Sequence, residues 1–376
     1  MTAAEYLLDL IRIPSVSALS NRAVVDYAKG ALHKAGWSTR ELAYFDSNNI
    51  EKVNLIAAPP RQDVSVRSVD LAFVCHTDTV PFSASWAGAL EPYCDEEFLY
   101  GCGACDVKGS LACLLQAAAS GPRGDWAEGL RIVLTADEEI GCVGATHLFA
   151  QDAIRPKRLV IGEPTSLHVA RAGKGYCLSE VEVHGIEAHS AHPEQGASAI
   201  FAASRMIRSI EELAVQLRAQ THDLFRPAYT SVNVGTIQGG TAKNIIAGEC
   251  RFLVEWRPVP GLDADFIPAA LQSYADTLQQ SDPSIQCTIR ALRRQAGFET
   301  AVTSALVQTL VEKTGLTSTS IPFGSEASVF APVAEEMVVF GPGNMQTAHS
   351  DRECVPLGEL KQAVAVLSGL MVPDVL

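Results

Sequence analysis

Apolar residues along this chain fall into two textures: uninterrupted aliphatic runs, and segments whose apolar positions recur every three to four residues. The first marks strands buried on both faces, the second helices packed by one side. The clearest run, LAFVCHTDTV at residues 71–80, stays apolar through Cys75 and ends in His76, Thr77 and Asp78. LRIVLTAD (130–137), RLVIGEP (158–164) and EMVVFGPG (336–343) are built the same way, and further strands are predicted near 38–45 and 52–58. Helical spacing covers 2–12, up to Ile13-Pro14-Ser15, and about 20–35, with Ser20 as candidate N-cap and Gly36 as stop. Another helix, LACLLQAAAS, follows the glycine-rich GCGACDVKGS at 101–110. This order predicts an α/β domain on a mainly parallel, mixed sheet.

Between 176 and 292 the texture changes. GYCLSEVEVHG alternates with period two, a helix follows over 196–218, then the strands YTSVNVGTIQGG and GECRFLVEWR, a helix near 263–280 and the strand SIQCTIRAL. Strand–helix–strand–strand–helix–strand is the ferredoxin-like α+β order. The aliphatic runs resume afterwards, so this segment reads as an insertion. The expected domains are 1–175 with 293–376, discontinuous, and 176–292. A chain of 376 residues is long enough for two cores.

Composition narrows the function classes. The net charge is −14, from 29 basic and 43 acidic residues. No Lys/Arg cluster stands out, so nucleic acid is not an expected partner. The longest weakly polar run, 111–120, is far short of the roughly 20 residues that span a bilayer. MTAAEYLLDLIRIPS lacks the basic start and apolar core of a secretory signal. A cytoplasmic protein without membrane partners is expected. Of the ten cysteines, Cys75, Cys113, Cys177 and Cys250 lie in apolar segments, where a free thiol behaves as a small hydrophobe, and reduced thiols fit a cytoplasmic protein. Cys102 and Cys105 form a C-x-x-C with neither the second C-x-x-C of a zinc ribbon nor a thioredoxin-like context.

The chemistry gathers at the ends of the aliphatic runs, where open α/β sheets bind their ligands. His76, Glu138, Glu139, Glu163 and His349 follow such strands, and Asp106 lies in the glycine-rich loop. That loop fits neither the dinucleotide fingerprint nor the P-loop, because Asp106 and Lys108-Gly109-Ser110 break both patterns. Mixed carboxylates and imidazoles suit zinc, with cobalt or manganese as substitutes. A two-metal site needs a bridging carboxylate and two or three ligands per ion. The inventory supplies Asp106 as bridge, His76 and Glu163 for one ion, and Glu139 and His349 for the other. Glu138 is left over as a general base, and Asp78 is placed to fix the His76 tautomer. Asn244, or the H-x-x-H pair His189 and His192, are alternative ligands that the residues alone leave open.

HTDTV, GACDVKGS, TADEEIG, GEPTS, GIEAHSAHPEQGASAI, GGTAKNIIAGE, EWRPVPG and GPGNMQTAHSDRE occur in that order across almost the whole chain. Together they resemble the co-catalytic zinc family of amidohydrolases and exopeptidases, and most closely its acetylornithine deacetylase branch. The resemblance implies two Zn2+ per subunit, held by the residues named above, and hydrolysis of an N-acyl amino acid, N-acetylornithine first among the expected substrates. Succinyl-diaminopimelate, N-acetylcitrulline, other acyl amino acids and dipeptides are the alternatives. It also implies that the inserted domain is a dimerising lid whose His189 stabilises the oxyanion in the partner subunit's site. Asn244 and Arg257 become candidate anchors for a substrate carboxylate, and Glu326, Asp351 and Glu353 candidate readers of the substrate's amine. Val107, where the family often has methionine, and the two cysteines of the Asp106 loop depart from the pattern.

Overall fold

The computed structural model describes residues 1–121, 125–373 and 375. The chain divides into two compact units: Met1–Ala172 with Glu299–Ile321 and Ser325–Leu376, and Gly173–Phe298 with Pro322–Gly324. The insertion expected over 176–292 is thus replaced by a slightly longer segment.

The first unit is built on a mixed α/β sheet whose strands run in the order Ser38–Phe45, Glu51–Ala58, Leu130–Thr135, Ser68–His76, Arg155–Ile161, Glu336–Val339 and Val169–Gly173. Ser68–His76 pairs in parallel on both sides, with His76 opposite Thr135 and Val74 opposite Ile161, and Val339 lies parallel to Ile161 in turn. Four strand ends therefore point the same way, and the residues just beyond them share one edge. Glu51–Ala58 and Ser38–Phe45 join antiparallel, which makes the sheet mixed. Phe73, Val74 and Cys75 are fully enclosed, as unbroken aliphatic runs require.

Helix Lys108–Ser120 is buried on nearly every face, packed by Ala3–Arg12 and Leu357–Leu370. Leu7, Leu10, Leu111, Leu114, Leu360 and Leu367 meet in that core. Burial all round distinguishes this central helix from a one-sided surface helix. It also fixes the loop before it, which carries Asp106. Gly109 is needed for the approach, since a Cβ there would lie 2.5 Å from the Ala104 carbonyl oxygen.

The second unit is a four-stranded antiparallel sheet in the order Ser231–Gly239, Glu249–Arg257, Tyr176–His184, Gln286–Gln295. Helices Ala199–Leu217 and Phe266–Ser281 bury Met206, Ile210, Leu271 and Leu278 against Val181, Val183, Phe252 and Trp256. Alternating burial along Tyr176–His184 and Glu249–Arg257 is the period-two pattern of a sheet covered on one face.

Among the described residues no helix is long and apolar enough to cross a membrane. All ten cysteines are free thiols.

Candidate metal centre

At the shared edge of the first unit, the carboxylate of Asp106 lies between two imidazoles. Its Oδ1 is 3.2 Å from His76 Nε2 and its Oδ2 is 3.0 Å from His349 Nε2. Glu139 Oε1 is 3.2 Å from the same nitrogen of His349, and Glu163 Oε1 is 3.9 Å from His76 Nε2. Ligand atoms of His76, Asp106 and Glu139 all fall within 4.8 Å of one another. Five of the residues expected as ligands thus converge in two groups about one carboxylate, a donor set that fits two divalent cations sharing Asp106.

His76 Nδ1 is 3.1 Å from the Asp78 backbone carbonyl. A nitrogen facing a carbonyl must carry the hydrogen, so in the neutral imidazole Nε2 is left as the ligand atom. Here the expectation for Asp78 changes in detail. Its side chain is 3.6 Å from His76 Nδ1, and its oxygens accept from the Ser17 hydroxyl at 2.7 Å and from the amides of Glu138 and Glu139 at 3.0 and 3.3 Å. Asp78 therefore holds His76 chiefly by its backbone and the Glu138-Glu139 turn by its carboxylate.

Electrostatics follow from this crowding. Burial opposes the charge on His76, but the Asp106 and Asp78 carboxylates more than offset it and hold His76 well above its ordinary value. Hydrogen bonds to Asp106 and Glu139 raise His349 to about 10. Burial disfavours the charge on Asp106 as well, yet its two imidazole partners bring it below the usual carboxylate range. Glu138 has no such partner. Burial, then the neighbouring Glu139 and Glu326 carboxylates, outweigh the opposing His76 and push it up to about 8.

The raised groups share one sign. A folded-state pKa above the unfolded value gives stability that is present at low pH and lost as pH rises through the folded value. The metal-free protein is therefore expected to lose stability from about pH 5 through pH 9, as Glu138 and His349 give up protons. Divalent metal should restore it most at the alkaline end. Thermal unfolding between pH 5 and 9, with and without metal, checks this.

Lys52 and Asp137 carry the turn from behind. Lys52 Nζ is 2.6 Å from Asp137 Oδ1, with both side chains 1% exposed, and it also donates to the carbonyls of Ser17 and Leu19. Tyr44 donates to the other Asp137 oxygen. Asp137 sits at φ 57° immediately before Glu138, a left-handed conformation that persists only where its surroundings enforce it. Lys52→Met, which strands a buried carboxylate, is expected to cost about 3–5 kcal/mol, read from the urea midpoint. Sequence reasoning missed this pair, although Lys52 is the lone cation in a strand, EKVNLIAA, that is buried from Lys52 onward.

The model of the peptidase family M20/M25/M40 matches residues 72–372. The chain belongs to that family. An acetylornithine deacetylase of Myxococcus xanthus is 41% identical over 363 residues, 96% of this chain and 94% of that one. Another, of Aliivibrio salmonicida, is 29% identical over 98% and 97% of the two chains. Among solved structures, the aminopeptidase PepT of Bacillus cereus has a TM-score of 0.75 at 20% identity, covering 98% and 97%. A dinuclear metal-binding M20 peptidase of Bacillus subtilis has a TM-score of 0.66 at 13% identity, covering 98% and 96%. These two structures share the M20 fold.

The other expected site residues of this M20 chain are placed as follows. Glu326 is fully buried, with the His76 and Asp78 charges and the Thr135 side chain about it, and its own charge acts on Glu138. It has no surface from which to reach a substrate amine, which corrects the expectation drawn from sequence. Glu353 is corrected likewise, because both its oxygens are taken by backbone amides. Asp351 remains exposed and lines a cavity of about 200 Å³ with Phe82, Trp86 and His349. In the second unit, His189 is paired opposite Ile245, and the neighbouring Ser190 amide donates to the Asn244 carbonyl, so His189 and Asn244 are neighbours on an exposed surface. His192 lies 6.2 Å from His189, ring to ring. Arg257 is held by Glu255 at 2.7 Å and stacks 3.7 Å over Tyr176.

Proposed function

We propose that this protein hydrolyses the amide of an N-acyl-L-amino acid, with N-acetyl-L-ornithine as substrate and L-ornithine and acetate as products, a step of arginine biosynthesis in the cytoplasm. The observation that carries the reading is the Asp106 carboxylate set between His76 and His349, with Glu138 buried beside them and paired to neither. The 41% identity to a deacetylase of that substrate supports the acyl amino acid.

His76, Glu163 and the shared Asp106 are the residues placed to hold one divalent cation; Glu139, His349 and Asp106 are placed to hold the second. Zinc is proposed at both positions, with cobalt or manganese as substitutes. Bound there, such ions polarise the acyl carbonyl and lower the pKa of water. The chain's own groups do the rest. Glu138 takes a proton from the attacking water as the new C–O bond forms, and returns it to the nitrogen as the C–N bond breaks. Buried beside the proposed ligands yet outside their set, Glu138 is placed to accept the proton and to donate it again. Asp78 keeps the Glu138 amide in place while its backbone keeps Nε2 of His76 turned to the centre.

His189 is proposed to stabilise the oxyanion from the partner subunit of a homodimer formed through the second unit. Asn244 and Arg257 are proposed at the substrate carboxylate, and Asp351 at the ornithine ammonium. His189→Ala should lower kcat by about 10²–10³, the usual cost of one oxyanion donor. Mixing it with Glu138→Ala subunits should then recover activity through hybrid dimers; no recovery despite demonstrated subunit exchange would place His189 in its own subunit's site.

The function is tested by amine release from N-acetylornithine, N-acetylcitrulline, N-succinyl-diaminopimelate, N-acetylmethionine and a dipeptide, using zinc- or cobalt-loaded protein. A kcat/KM for N-acetylornithine at least about tenfold above the rest, some 1.4 kcal/mol of transition-state discrimination, is expected. A win by another substrate overturns the assignment while leaving the hydrolase in place.

A further inference from the structure

Glu353 is 3% exposed and makes no ion pair among the described residues, yet every acceptor it owns is committed to one loop. Its Oε1 accepts from the amides of Cys105 at 3.1 Å and Asp106 at 3.0 Å, and its Oε2 from the amide of Gly103 at 3.0 Å. Its backbone carbonyl accepts from the Gly101 amide at 3.2 Å. Backbone amides converging on one anion form a nest, and here Gly103 at φ 80° lets the chain curl around the carboxylate. Directly after it, Cys354–Pro356 pairs with Phe98–Tyr100, the strand that enters the same loop.

The two ends of this clamp both bear candidate ligands. Asp106 is the last residue of the nest, and His349 lies four residues before Glu353, in a segment whose turn is closed by the Glu353 amide on the Ser350 carbonyl at 3.1 Å. We propose that Glu353 is a positioning residue that sets the spacing of Asp106 to His349, and through it the affinity of the metal position shared by Asp106, Glu139 and His349. The other position depends on it less, because His76 ends a strand paired on both sides and Glu163 follows another. This inference rests on the two-metal reading above.

Groups that orient metal ligands typically change affinity by about 10–100-fold when removed. Glu353→Gln preserves the shape but turns one acceptor into a donor facing an amide. The test is a titration of metal-depleted protein with Co2+, followed by visible absorption and by calorimetry, on wild type and Glu353→Gln, with thermal unfolding of each metal-free form. Two ions are expected for wild type. The variant should keep one at wild-type affinity and bind the other roughly 10–100-fold more weakly. Its kcat should be low at limiting Co2+ and recover in excess, with KM unchanged.

Wild-type affinity for both ions in Glu353→Gln, with only the unfolding temperature lowered, would make Glu353 an ordinary structural residue and overturn the proposal. Equal weakening of both ions would overturn it too. If Glu353→Gln does not fold, Gly103→Ala attacks the nest from the opposite side, since a Cβ there would lie 2.9 Å from the Lys108 side chain. It must show the same selective loss. A wild-type protein that takes up a single ion would overturn the two-metal reading, and this one with it.

Discussion

Glu138→Ala abolishes turnover and leaves the bound metal at its wild-type level: that is the expected result for a carboxylate that does chemistry without being a ligand. Glu138 is buried, its amide is pinned by Asp78 at 3.0 Å, and the Cys142 thiol at 3.3 Å donates to its carboxylate. Neither imidazole approaches it as they approach Asp106. Removing a positioned general base costs about 10²–10⁴-fold in rate, and the upper end is expected because Glu138 handles the proton twice, once from water and once to the leaving amine. Elemental analysis beside a progress curve decides the matter. Loss of metal together with activity would turn Glu138 into a ligand.

Asp106→Ala should act in the opposite manner, removing both ions at once. Its two oxygens face different imidazoles, so the substitution takes a ligand from each position, whereas Glu163→Ala or His349→Ala takes one from only one. The residual carboxylates then face His76 and His349 without their shared counter-charge. In the metal-free variant the His349 pKa should fall from about 10 towards an ordinary imidazole value, because the hydrogen bond to Asp106 is the largest cause of its elevation. Metal content by mass spectrometry and His349 titration by NMR are independent readings. Retention of one tightly bound ion would show that Asp106 is not shared.

The strands and their tips were legible because a strand buried on both faces must be continuously apolar, so the polar residue that ends it is conspicuous. His76, Glu138-Glu139 and Glu163 were found in this way, and the resemblance named the same residues. What remained hidden depends on partners far apart in sequence. Ser17 meets Asp78 across 61 positions, Lys52 meets Asp137 across 85, and Glu353 meets Gly103 across 250. No periodicity records such contacts. The N-cap is a smaller example. Ser20 was expected, whereas Asn21 precedes the helix Arg22–Lys34 and caps nothing with its side chain. That side chain instead bonds Val53 and Thr77, a tertiary demand that outweighs local preference.

The discontinuity of the first unit sets an order of assembly. Residues 1–172 leave the ribosome first, but the strand Glu336–Val339, His349 and the helix Leu357–Leu370 that covers Lys108–Ser120 come only after the whole second unit has been made. The second unit is nearly continuous, so it is able to fold while the first still waits for its last strand. From Glu163 onward the nascent chain thus carries His76, Asp106, Glu139 and Glu163 without His349 until position 349 is made. The last strand, His349 and the covering helix therefore reach the first unit together, after everything else in the chain.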